Sequence, residues 1–152
     1  MRLFCGIDPG AISGAWGMID HHGHYWSSGF IPHDAGRIKA SDFKAELMQA
    51  IDKQDVMFCI EDVHAMPKQG VSSTFKFGMA VGAIQAIVEL TRAPWVIVRP
   101  QAWKKAMGVT AQKNTSLELA RRLWPSAPLK RAKDHGVAEA LLLAEWSRRK
   151  HL

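Results

Sequence analysis

The chain has 152 residues, 47% of them hydrophobic, and twenty Lys and Arg against fourteen Asp and Glu give a formal charge of +6 and a pI near 9.6. That length fits one domain, expected to span residues 1–152, because a chain of this size buries roughly 68–70% of the surface it exposes when unfolded. Two large domains are excluded by length, disorder by the hydrophobic fraction and the lack of low-complexity tracts, and the basic balance favours a polyanion such as nucleic acid or anionic lipid.

From the N-terminus, residues 2–8, 14–20 and 24–31 read as three strands in an antiparallel meander, separated by Asp8-Pro9-Gly10 and the His21-His22-Gly23 turn. Met1-Arg2-Leu3-Phe4-Cys5-Gly6 enters the first strand without a small-residue cleavage site, so no signal peptide and a cytoplasmic location are expected. Phe43, Leu47 and Ile51 at four-residue spacing predict an amphipathic helix over 42–52 with Ser41 as N-cap. Val56-Met57-Phe58-Cys59-Ile60 fits a buried strand ending in Glu61-Asp62. Residues 62–72, with Pro67 and Gly70, read as a loop. Ser72 or Ser73 then caps a helix over about 74–91, in which Gly78, Ala80, Gly82, Ala83 and Ala86 make a surface that another backbone can approach. Trp95–Val98 is a further buried strand, Pro100 opens a helical turn, and helices follow over 115–123 and 135–149. Apolar stretches are expected to fall short of the ~20 residues that cross a bilayer, so no membrane partner is expected.

Three strands followed by alternating helices and strands predict an α/β fold: a five-stranded mixed sheet, antiparallel first and then parallel, flanked by helices. In such sheets functional groups gather beyond the carboxyl ends of the parallel strands. Asp8 and Glu61 each end one. If those strands are parallel neighbours, the two carboxylates share one edge, where a proton or a hard cation, Mg²⁺ or Mn²⁺, relieves their repulsion. Glu139 stands in an apolar run where a plain amphipathic helix would place Ala or Leu, which makes it the third candidate. His135 lies one turn earlier on the same face, and Asp134 about 140° around the helix unless it caps it. Both stay open as a fourth group.

Gly6-Ile7-Asp8-Pro9-Gly10 with Gly14, the Ile60-Glu61 strand end, the helix bearing Ser73, Phe77, Gly78 and Gly82, and Ala138-Glu139-Ala140-Leu141 resemble the RuvC group of Holliday junction resolvases over nearly the whole chain. The short length and basic last third are similar to phage-type members. The resemblance implies an RNase H-like fold and a homodimer that cuts four-way or branched DNA symmetrically. It also implies two Mg²⁺ ions, with Mn²⁺ as substitute, that activate water and stabilise the leaving 3′ oxygen. By it, Asp8, Glu61 and Glu139 are the carboxylate ligands and Asp134 or His135 the fourth group. The family carries an acid or His three residues before its last acid, whereas position 136 here is Gly. Lys113 matches a lysine near the family's active site, suited to a charged transition state. The Asp62–Pro67 loop resembles the segment that wedges into the junction, so His64 or Phe75 would stack on a base, with Lys76 beside it. Trp103-Lys104-Lys105 is a further candidate DNA contact.

Other features carry no chemistry. His21, His22 and His24 alternate around a Gly turn, without further ligands at zinc spacing, and Cys5 and Cys59 read as buried free thiols. A sugar-kinase or actin-like ATPase half would need a second lobe for which the chain has no room. A YqgF-type RNase H-like nuclease and a non-catalytic branched-DNA-binding protein are the alternatives.

Overall fold

The computed structural model describes residues 1–10 and 12–152. In chain order, β1 (Arg2–Asp8), β2 (Ala15–Asp20) and β3 (Tyr25–Phe30) are followed by the two-residue strands β4 (His33–Asp34) and β5 (Arg37–Ile38). Then come α1 (Ala40–Ile51), β6 (Asp55–Glu61), α2 (Val71–Leu90), β7 (Trp95–Val98), α3 (Pro100–Met107) and α4 (Lys113–Leu123). A 3₁₀ turn, Ala132–Asp134, leads into α5 (His135–His151). The main sheet has the order β3-β2-β1-β6-β7, with β1, β2 and β3 antiparallel and β1, β6 and β7 parallel, as expected. The β4–β5 hairpin was not anticipated. It forms its own two-stranded sheet.

Side-chain alternation sorts each central strand between two cores. Leu3, Cys5 and Ile7 of β1, with Val56, Phe58 and Ile60 of β6, pack with Phe43, Leu47 and Ile51 of α1 and Ile84, Ile87 and Val88 of α2. Phe4 of β1 and Met57 and Cys59 of β6 face the opposite way, towards Trp103 of α3, Leu117 of α4 and Leu141 to Ala144 of α5. The protein is therefore three layers, helices on both faces of the sheet. By the same parity, Asp8 and Glu61 extend the row that faces α5.

Gly6 and Gly17 lie opposite each other in the β1–β2 ladder and let α5 approach the sheet closely. A Cβ on Gly6 would stand 1.9 Å from the Ala140 carbonyl oxygen, and one on Gly17 would meet Leu141 Cγ at 2.7 Å. This docking brings the α5 start to the end of β1, where a Cβ on Gly136 would lie 3.8 Å from Asp8 Oδ2.

Helix starts differ from expectation. Lys39 rather than Ser41 occupies the N-cap of α1, and α2 begins at Val71 behind Gly70, so Ser72 and Ser73 sit inside it. Neither helix uses a side-chain cap. In α2, the earlier start makes a 20-residue helix long and apolar enough, by length and composition, to cross a membrane; the expectation that no apolar stretch approaches that length is corrected.

Candidate active site

Three elements deliver the carboxylates. β1 and β6 end side by side, with Ile7 opposite Ile60, so Asp8 and Glu61 emerge as neighbours on the α5 face. Glu139 reaches them from the first turns of α5, its side chain 12% exposed. Burial pushes the Asp8 carboxyl well above the ordinary range, the charges of Glu139 and Glu61 push it further, and a hydrogen bond shared with Glu139 adds to this. Glu61 is raised by burial and by Glu139, against the opposing pull of Trp103 and Lys104. The three acids form one electrostatic unit.

Two residues of α3 serve this unit. The Trp103 indole N–H donates to Glu61 Oε2 at 2.6 Å, and Lys104 Nζ lies 4.0 Å from Glu139 Oε1. Trp103 is fully buried, so its expected role as a DNA contact is corrected: its ring is core and its N–H orients a carboxylate. The spacing of Trp103 and Met107, both buried, was the available signal, because residues four apart share a helix face. Lys104 is the cation built into the cluster, whereas Lys105 is exposed.

Asp134 is drawn elsewhere. The Arg131 backbone N–H and Nε donate to its Oδ2 at 2.9 and 3.3 Å, and Arg131 Nη2 donates to Oδ1 at 2.8 Å, a capping box around the 3₁₀ turn. These hydrogen bonds hold its carboxyl below the ordinary range despite burial. With both oxygens engaged, Asp134 serves the helix start. Among the described residues, His135 has a 3.2 Å contact between Nδ1 and the Ala132 carbonyl oxygen. Lys113 is the exposed first residue of α4.

Two open grooves begin at the strand ends. One, about 870 Å³, is bordered by Asp62, His64, Met66, Phe77 and Arg99; the exposed His64 ring lies 3.5 Å from Asp62 Oδ2. The other, about 820 Å³, starts at Pro9 and Gly10 and holds Lys76 in its wall. Phe75 is 68% exposed.

The donor chemistry fits a hard divalent cation: carboxylate oxygens, partly buried and mutually repelling, with one lysine as counter-charge. Among the described residues, no three His, Cys, Asp or Glu side chains already stand at joint ligating distance. A cation binding here would draw the carboxylates together.

No protein-family model matches the chain, and no curated protein matches it in sequence. Among solved structures it is similar to Thermus thermophilus RuvC in complex with Holliday junction substrate, with a TM-score of 0.74 at 16% identity over 99% of this chain and 97% of that one. A second Thermus thermophilus RuvC structure gives a TM-score of 0.71 at 17% identity over 97% and 96%. The chain thus has the RuvC form of the RNase H-like fold along its whole length.

Proposed function

We propose that this protein is a divalent-metal-dependent endonuclease that cuts four-way or branched DNA, working in the cytoplasm as a homodimer. The observation that carries this reading is the meeting of Asp8, Glu61 and Glu139 around Lys104 at the ends of two parallel strands, in the fold of a protein solved with a Holliday junction. Asp8, Glu61 and Glu139, with His135 as fourth group, would hold Mg²⁺ or Mn²⁺, two ions per site. When bound, such ions activate the attacking water and stabilise the departing 3′ oxygen.

The remaining work falls to the chain. Trp103 fixes the Glu61 carboxylate through its indole N–H, and Lys104 places a positive charge beside Glu139, where phosphate charge must be accommodated. Lys105, Lys113 and Lys76 supply exposed positive charge for the DNA backbone, and His64 and Phe75 offer rings for unpaired bases.

The support for a homodimer is α2. Val71, Met79 and Leu90 are exposed, and nothing lies within 4 Å of a Cβ added to Gly78 or Gly82. The opposite side, Ala80, Ile84, Ile87 and Val88, is buried in the fold. A helix embedded on one side and apolar on the other suits a second copy of the chain better than a bilayer.

The decisive experiment is cleavage of an end-labelled four-way junction by wild type and Asp8→Asn, with Mg²⁺ or with EDTA. Paired symmetric nicks that need both Mg²⁺ and Asp8 are expected. Tight binding without cleavage in Mg²⁺ or Mn²⁺ would leave a junction-binding protein, and no binding at all would sink the reading.

A further inference from the structure

The groove that starts at Pro9 and Gly10, directly after Asp8, runs between the β4–β5 hairpin and the first turns of α2, past His33, Gly36, Ser72 and Lys76. It adjoins a smaller cavity of about 230 Å³ between Arg37 of the hairpin and Phe75 and Met79 of α2. Ala35, Gly36, Ser72 and Lys76 border both. Among the described residues, the basic side chains on the walls are Lys76, Arg37 and His33, and no acid lines either space. Asp34, the hairpin's own acid, stays outside.

The hairpin itself is held in a costly shape. Ala35 and Gly36 both adopt positive φ, 50° and 79°, the requirement of a two-residue type I′ turn; an alanine there costs on the order of 1 kcal/mol. Strands of two residues do not sustain a hairpin alone, and this one lies against α2, where a Cβ on Gly36 would stand 3.7 Å from Lys76 Cδ.

We infer that the His33–Ile38 hairpin and α2 are the two jaws of a clamp on the DNA strand that leads to Asp8. Arg37 and His33 are its phosphate contacts, and Phe75 presents a ring to the bases. The inference rests on the nuclease reading and adds positioning residues to it. Because phosphate contacts carry no sequence information, the clamp fixes the strand's register without choosing its bases.

The test measures binding of a fluorescent four-way junction in EDTA across a salt series, then single-turnover cleavage in Mg²⁺, for wild type, Arg37→Glu, Arg37→Lys and His33→Ala. Arg37→Glu is expected to bind about tenfold more weakly and to lower the slope of log affinity against log salt by about one. Arg37→Lys, which keeps the charge, should recover most of the affinity. His33→Ala gives an independent reading from the other hairpin strand. Thermal melting separates these effects from misfolding. Variants that bind and cut like wild type would overturn the clamp while leaving the nuclease reading intact. A wild type that neither binds nor cuts would overturn both.

Discussion

At the scale of single residues, Glu145 shows how a buried charge is held away from the active centre. It is 5% exposed and accepts from Arg148 Nε and Nη2 at 2.8 and 2.9 Å and from Arg149 Nε at 2.8 Å. Arg148 also donates to the His21 carbonyl oxygen, tying α5 to the β2–β3 turn. Burial pushes the Glu145 carboxyl up, but the two guanidiniums outweigh it and hold the group below the ordinary range. A depressed carboxylate stabilises the fold above its unfolded-state pKa, roughly 4.3, and that contribution disappears as pH falls through the lower folded-state value. Glu145→Gln should therefore lose about 2 kcal/mol at pH 7, measured by urea unfolding. The gap to wild type should close as the pH is taken well below 4. A gap independent of pH would show that packing rather than charge is at work.

At the scale of elements, legibility in the sequence follows the range of the forces. Strand parity and the Phe43–Leu47–Ile51 spacing are local and strong, so β1, β6 and α1 were readable, and with them the adjacency of Asp8 and Glu61. The β4–β5 hairpin was not, because two-residue strands carry no period and Ala35-Gly36 lacks the Asn-Gly signature of its turn. Spacing alone does not separate Asp134 from His135; the Arg131–Asp134 pairing that distinguishes their surroundings depends on the path into α5. Trp103 stands beside two lysines, the pattern of a surface patch, yet the helix turns it inward. The docking of α5 rests on Gly6. Since an added Cβ meets the Ala140 carbonyl oxygen at 1.9 Å and the Ala144 nitrogen at 2.8 Å, Gly6→Ala must displace backbone and should cost about 3 kcal/mol in urea unfolding. Stability equal to wild type would contradict this close approach.

At the scale of the whole molecule, the exposed apolar face of α2 and the carboxylate cluster are the two surfaces on which the proposed assembly and chemistry rest. Gly82 tests the first. The space around it is open, so Gly82→Leu should fold normally as a protomer, yet insert a side chain where a second copy would lie. Light scattering is expected to show wild-type dimers and variant monomers; an intact variant dimer would move the contact off this face. The carboxylate centre has another property, which comes from where its parts lie along the chain. Asp8 lies in β1 and Glu139 in α5, far apart along the chain, and only the seating of α5 on Gly6 and Gly17 unites them. The carboxylate cluster is therefore a product of tertiary packing alone: a compact state that kept its strands and helices but lost the seating of α5 would keep the lysines of α3 and lose the cluster.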